Sequence, residues 1–328
     1  MSTSSTLLEF VAPIEPDLLA MGEALAQELV TDDPSVAEMV EHLSRFQGKQ
    51  LRASLLLLVA RASGNSSPEM PVVAAVVELI HLATLVHDDV LDGAEIRRRL
   101  PSLNTTWDNQ IAVLLGDWLY SRAFARSTRL THPLASQVLA TTTQAICVGE
   151  IRQALGRHRF DASPAEYERI AMAKTGVLYG AAAELGVCYG RLDQEVLGRE
   201  MRLMGQELGL AFQIADDLLD IEGEEAVVGK SVGTDIADGK VTLPVLHAWR
   251  SADSVGRAAI EAAYLDPDCA DRRRALREAC DLAKGCEQAR ARADELIASA
   301  QSRLLHLPAN EMRLSLERVL EFTLERRS

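Results

Sequence analysis

The chain has 328 residues, a formal net charge of −14, 48% hydrophobic residues and only 4% aromatic ones. That length allows a large single core, and the acidic balance is the opposite of what a general nucleic-acid binder carries. The five cysteines form no CxxC pair and are odd in number, which reads as incidental thiols of a reducing compartment rather than a disulfide framework. The first ten residues lack a basic stretch followed by a long apolar core, so they do not read as a signal peptide. The most apolar run, residues 71–86, contains Glu78 and His81 and is too short to span a bilayer. The expectation is a cytoplasmic protein without a transmembrane segment.

Helical periodicity and proline punctuation predict helices over 16–30, 35–46, 49–63, 71–92, 105–130, 133–156, 164–190, 193–222, 241–251, 254–264, 270–283, 285–305 and 309–325. Gly64-Asn65-Ser66-Ser67-Pro68 reads as an interhelical loop. Ser163-Pro164-Ala165-Glu166 reads as a helix start, with Ser as the cap, Pro first and Glu third. No alternating Val/Ile/Thr pattern or Asn-Gly turn suggests strands. Several helices between 71 and 222 are apolar on more than one face, as helices in the middle of a bundle are. No low-complexity linker divides the chain. The reading is one all-α domain over 1–328, a helical bundle with the C-terminal helices from about 250 included.

Two stretches of one form interrupt the apolar runs: Asp88-Asp89-Val90-Leu91-Asp92 and Asp216-Asp217-Leu218-Leu219-Asp220. Unpaired buried charge is too costly for three carboxylates in five residues to serve stability. Positions i and i+4 share a helix face, which pairs Asp88 with Asp92 and Asp216 with Asp220. Carboxylate oxygens are hard ligands suited to Mg²⁺, which keeps several waters and bridges carboxylates to phosphate oxygens. The spacing is not that of a calcium loop. Basic residues gather nearby against the acidic background: Lys49 and Arg52, three apart and so expected on one helix face; Arg97, Arg98 and Arg99; Lys174 beside Thr175; and Lys230 and Lys240 in a Gly-rich loop after the second motif. Arg and Lys are natural diphosphate partners. Each alone reads equally as a solvated charge, but their number suggests two diphosphate sites.

With these residues in place, the chain resembles the trans-isoprenyl (polyprenyl) diphosphate synthases, in particular medium- and long-chain members such as octaprenyl diphosphate synthases. The resemblance is carried, in order from about 48 to 244, by Gly48-Lys49-Gln50-Leu51-Arg52, by residues 78–87 leading into Asp88–Asp92, by Arg97-Arg98, Gly116-Asp117 and Lys174-Thr175, by Phe212-Gln213-Ile214-Ala215 leading into Asp216–Asp220, and by Gly239-Lys240-Val241-Thr242-Leu243-Pro244. It implies a single-domain bundle of long antiparallel helices around a central cavity, and head-to-tail condensation of an allylic diphosphate with isopentenyl diphosphate, usually by a homodimer, with Mg²⁺ as cofactor in a cluster of about three ions. Lys49, Arg52, His81 and Arg98 would hold isopentenyl diphosphate. Arg97, Lys174, Thr175, Gln213, Lys230 and Lys240 would surround the allylic diphosphate. Asp88, Asp92 and Asp216 would bind Mg²⁺ directly, and Asp89, Asp217 and Asp220 through water. Arg99 stands where the family usually has Gly, and Asp108 replaces another usual Gly; neither removes a catalytic group.

A helix rises about 5.4 Å per turn, roughly one extended isoprene unit. Ala83 and Thr84, one turn before Asp88, and Ile80 beyond them carry no aromatic floor. The expectation is a product of about C30 to C50. A floor from Tyr120, Phe124 or the region of Gln153 would give a short chain, about C15 to C20, instead. A class I terpene cyclase and a non-catalytic subunit of a heteromeric prenyltransferase are the other readings. The second intact aspartate motif with Lys49, Arg52 and His81 argues against the former, and the complete set of aspartates and arginines against the latter.

Overall fold

The computed structural model describes residues 9–46, 48–97, 100–223, 232–269, 271–279 and 282–325. Arg98, Arg99 and Lys230 lie outside them. The chain packs as two compact units: residues 1–143, 178–205 and 303–319, and residues 144–177, 206–302 and 320–328.

In chain order the helices are α1 (Glu15–Leu29), α2 (Pro34–Ser44), α3 (Leu51–Ser63), α4 (Met70–Leu91), α5 (Leu103–Thr106), α6 (Asn109–Ser127), α7 (Leu134–Leu155), α8 (Pro164–Ala171), α9 (Val177–Cys188), α10 (Glu195–Glu222), α11 (Thr234–Ala237), α12 (Leu243–Ser251), α13 (Ser254–Leu265), α14 (Arg272–Ala279), α15 (Leu282–Leu304) and α16 (Glu311–Glu325). A π-helical turn, Met172–Gly176, joins α8 to α9. The fold is all-α, as expected. The strands β1 (Ile96–Arg97) and β2 (Leu100–Pro101) form one short antiparallel pair, with Ile96 opposite Pro101 and Arg97 opposite Leu100.

The first unit is built around α4, which packs against α1, α3 and α6. Val73, Ala74, Ala75, Val76, Val77, Leu79, Ile80 and Ala83 of this helix are all fully buried, so its nearly all-round apolar surface is matched by neighbours on every side. With 22 residues it is longer than the apolar run that suggested it, and it is long and apolar enough to cross a membrane by those criteria alone. The expectation that it was too short is corrected. Most of its apolar side chains are instead covered by protein. Helix α2 starts as its sequence dictates: Asp33 accepts from the amides of Ser35 (2.9 Å) and Val36 (3.2 Å), with Pro34 in the first turn, satisfying donors that have no partner within the helix.

Helix α3 departs from the expected 49–63. It begins only at Leu51, because Gln50 is left-handed at φ 47°. Lys49 therefore precedes the helix, and the shared helix face expected of Lys49 and Arg52 does not exist.

In the second unit α12 contacts α8 and α13, α13 contacts α14, and α14 contacts α11. Ser163 caps α8 by accepting from the amide of Glu166 at 3.1 Å, as its sequence predicts. The segment expected to be wholly loop after the second aspartate motif contains the single turn α11. Gly285 meets the α12 backbone closely; a Cβ there would lie 2.3 Å from the Pro244 carbonyl oxygen.

Candidate active site

The first aspartate motif forms the last turn of α4. The amide of Asp92 donates to the carbonyl of Asp88 at 2.8 Å, so the two keep helical spacing, and both side chains are half-buried. Asp89 is different. It is 2% exposed, and its Oδ1 accepts from both Nε (2.8 Å) and Nη2 of Arg97. Burial pushes Asp89 above the usual carboxylate range, against the opposing pull of Arg97. The β1–β2 pair holds Arg97 in reach. It is fastened by Ser102, whose Oγ donates to the Ala94 carbonyl at 2.5 Å and whose amide donates to Glu95 at 3.0 Å.

Glu78 lies on α4 three turns before the motif, and it is buried. Its Oε1 accepts from the amide of Ala53, in the first turn of α3, at 3.0 Å. On the same first turn the Arg52 guanidinium stacks over the ring of Tyr179, 4.5 Å from its centroid. His81 and Thr84 are half-buried, and the Thr84 hydroxyl donates to the His81 carbonyl at 2.7 Å. Ile80 and Ala83 are fully buried. The ring of His87 reaches the Val113 carbonyl (Nε2 to O 3.1 Å) and lies 3.4 Å from Asp117. It passes directly over Gly116, where a Cβ would fall 2.2 Å from Nε2. Only glycine leaves room for that ring.

The second motif, on α10, belongs to a hydrogen-bonded chain in the second unit. The Thr175 hydroxyl donates to the Gln213 side-chain oxygen (2.8 Å), and the Gln213 amide donates to Asp217 Oδ1 (2.9 Å). The Tyr167 hydroxyl donates to Asp217 Oδ2 (2.5 Å). Asp217 is buried, and burial raises it to about 6 despite those two donors. Burial and the adjacent carboxylate push Tyr167 well above its ordinary range. Asp220, also buried, accepts from the amide (3.1 Å) and hydroxyl (3.0 Å) of Thr234 through Oδ1 and from the Asp235 amide (3.1 Å) through Oδ2. It thereby anchors α11. Asp216 is half-buried.

Two of the cations expected around a diphosphate, Lys174 and Lys240, sit beside carboxylates of their own unit. Lys174 lies in the π-helical turn and contacts Glu150 (2.9 Å) and the Gln153 side-chain oxygen (3.0 Å). Lys240 lies 3.1 Å from Asp238 and 3.8 Å from Asp235. Its loop is closed by Gly239 at φ +74°, where a Cβ would strike the His158 ring at 2.3 Å. Sequence reasoning did not find Glu150, Asp238, Tyr167 or Tyr179 as partners. The signal available was general: a buried carboxylate requires donors, and a cation in an apolar helix requires an acid.

Removal of the Tyr167 hydroxyl in Tyr167→Phe is expected to cost about 1.5–3 kcal/mol of stability, the range for a hydrogen bond to a charged group. Urea denaturation checks this, and an unchanged midpoint would show that Asp217 does not depend on Tyr167.

As a metal site, the donor set is sparse. Among the described residues, no group of three or more His, Cys, Asp or Glu side chains is placed to hold one ion. Mg²⁺ in phosphate chemistry uses one or two carboxylates and completes its shell with water and phosphate oxygens. Half-buried Asp88 and Asp92 in the first unit, and half-buried Asp216 in the second, are carboxylates of the type that could take part in it.

The chain matches the family model described as polyprenyl synthetase over residues 33–280. It is 36% identical over 300 residues to the heptaprenyl diphosphate synthase component 2 of Geobacillus stearothermophilus, covering 92% of both chains. It is 34% identical over 332 residues to the nonaprenyl diphosphate synthase of Mycobacterium tuberculosis (strain H37Rv), covering 97% of this chain and 94% of that one. It superposes with a TM-score of 0.91 and 31% identity on a polyprenyl synthase from Caulobacter crescentus CB15 solved with calcium and isoprenyl diphosphate, covering 99% and 98% of the two chains. The chain therefore belongs to the polyprenyl synthetase family and is a prenyltransferase.

Proposed function

We propose that this chain condenses isopentenyl diphosphate head-to-tail with an allylic diphosphate, in a Mg²⁺-dependent reaction, to give an all-trans polyprenyl diphosphate of about C30 to C50. One observation carries the reading: each motif sets half-buried carboxylates, Asp88 and Asp92 in one and Asp216 in the other, beside buried ones, and half-buried carboxylates keep access to a ligand.

Bound Mg²⁺ supplies neutralisation of the diphosphate charge as it departs. Arg97, Lys174 and Lys240, with Lys230, supply further positive charge where negative charge develops. The carboxylates beside Arg97, Lys174 and Lys240 hold those three in place beforehand, which lowers the reorganisation needed when substrate arrives. The Gln213 carbonyl oxygen accepts from Thr175 and has a second lone pair, which can face the allylic cation. Lys49, Arg52 and His81 hold isopentenyl diphosphate, whose double bond attacks that cation. The proton then lost passes to the released diphosphate. Water must be kept out, since it would quench the cation to an alcohol.

The long product is supported by α4, which bears no aromatic side chain between Met70 and Asp88. The heptaprenyl and nonaprenyl names of the two relatives point the same way. Ala83→Phe is expected to shorten the product by several isoprene units while turnover continues. Chromatography of dephosphorylated products reads this directly, and an unchanged product would remove Ala83 from the wall of the channel. The same assay on the unsubstituted chain, supplied with Mg²⁺, isopentenyl diphosphate and C10, C15 or C20 primers, tests the function. A dominant C15 or C20 alcohol would overturn the long-chain reading. We further propose a cytoplasmic homodimer that acts without another subunit. The Geobacillus relative is named a component, so elongation by the purified chain alone is the measurement that decides this point.

A further inference from the structure

We infer that Glu78 and Tyr179 are positioning residues for Arg52, and that they set the affinity for isopentenyl diphosphate without touching it. The inference rests on the reading of Arg52 as a ligand of that diphosphate.

Helix α3 begins abnormally. Gln50 occupies the cap position in the left-handed conformation and makes no side-chain cap bond. A residue with that backbone does not adopt the extended conformation from which a cap side chain reaches the second or third amide. The first turn, Leu51-Arg52-Ala53, would thus leave donors unmet inside the protein. Glu78, 25 residues along the chain and buried on α4, supplies the missing acceptor to Ala53 at 3.0 Å. A carboxylate at a helix N-terminus is also favoured by the helix dipole. The cap is therefore tertiary: it ties the turn carrying Arg52 to the helix that carries His81 and the first aspartate motif.

Tyr179 fixes the other end of the same side chain. It is 1% exposed, so its ring is a fixed platform, and the Arg52 guanidinium lies 4.5 Å from its centroid. A stacked guanidinium is limited to motion in its own plane, with its outer donors still available for a bidentate contact with phosphate oxygens. One residue holds the backbone next to Arg52, at Ala53, and the other its head group. An apolar residue at either position would leave the charge present and its geometry lost.

The test is steady-state kinetics on four variants, with KM measured separately for isopentenyl diphosphate and for the allylic primer. Arg52→Ala checks the underlying reading; an unchanged KM for isopentenyl diphosphate there would overturn the assignment of Arg52 itself. Given that Arg52→Ala raises that KM, Glu78→Ala and Tyr179→Leu are each expected to raise it by about tenfold, with the KM for the primer within about twofold of the parent. Glu78→Gln retains an acceptor oxygen and is expected to recover most of the loss. Equal changes in both KM values, or none, in the Tyr179→Leu and Glu78→Ala proteins, or a Glu78→Gln protein as impaired as Glu78→Ala, would reduce the two residues to general packing and overturn the inference. If circular dichroism shows that Glu78→Ala does not fold, Tyr179→Leu carries the test, with Glu78→Gln expected to keep both KM values within about twofold of the parent.

Discussion

Asp88→Asn and Asp216→Asn are each expected to lower kcat by roughly 100- to 1,000-fold while shifting the unfolding temperature by no more than about 2 °C. The two carboxylates are half-buried, whereas their neighbours Asp89 and Asp217 are buried and hydrogen-bonded by Arg97 and by Tyr167 and Gln213. Asn preserves shape and removes the charge that a divalent cation requires, so the loss belongs to the chemical step and not to folding. Asp89→Asn should behave differently. Asp89 is buried and bonded twice by Arg97, so removing its charge leaves a cation that is 29% exposed beside a neutral amide. Stability should fall along with activity, because breaking such a pair costs more than forming it gains. Measuring kcat at saturating Mg²⁺ alongside the thermal melt separates the two behaviours. Asp88→Asn or Asp216→Asn turning over within threefold of the parent would remove that residue from the cation site.

Gly205→Ala is expected to destabilise the protein by about 1–3 kcal/mol, the usual cost of overfilling a packed interior. A Cβ at this position would lie 2.5 Å from the Tyr179 carbonyl oxygen, 2.8 Å from its carbon and 2.9 Å from the Gly180 Cα. All three are backbone atoms of α9, and no rotamer change relieves them. The two helices must separate at the turn bearing Tyr179, so the KM for isopentenyl diphosphate should rise in the same variant. Gly22→Ala is the control. It lies within α1 and has nothing within 4 Å of its would-be Cβ, so the helix propensity of Ala should stabilise it by about 0.5–1 kcal/mol. Equal melting temperatures for the two variants would show that the α9–α10 approach is looser than its geometry implies.

The helices were legible because long apolar periodicity, proline and caps agree locally; Ser163-Pro164 and Asp33-Pro34 begin helices in the structure as their chemistry requires. The aspartate motifs were legible as concentrations of charge with no stability rationale. What the chain did not disclose locally depends on partners far along it. The left-handed Gln50, which displaces Lys49 from α3, is tolerated because Glu78 takes over the cap from 25 residues away. The pairing of Lys174 with Glu150 joins positions 24 apart, and that of Tyr167 with Asp217 joins positions 50 apart. Neither has a periodic signature. The short β1–β2 pair has the same origin: two residues per strand are too few to show alternation, and the pair is held by Ser102 and Ala94 rather than by propensity.

The turn at Met172–Gly176 has a consequence for how this chain can change. Its closing bond runs from the amide of Val177 to the carbonyl of Met172, one residue wider than an α-helical bond, so it holds a surplus residue worth about 100° of rotation. Everything before the turn is out of phase with everything after it by that angle. Tyr167, Lys174 and Thr175 meet Asp217, Glu150 and Gln213 only because the phase slips between the first of them and the other two. A deletion of one residue here would produce a more regular helix and a poorer enzyme: with Tyr167 held in place, Lys174 and Thr175 would swing to another face. Substitutions in this stretch leave the phase intact, whereas a single insertion or deletion changes it for the whole arm.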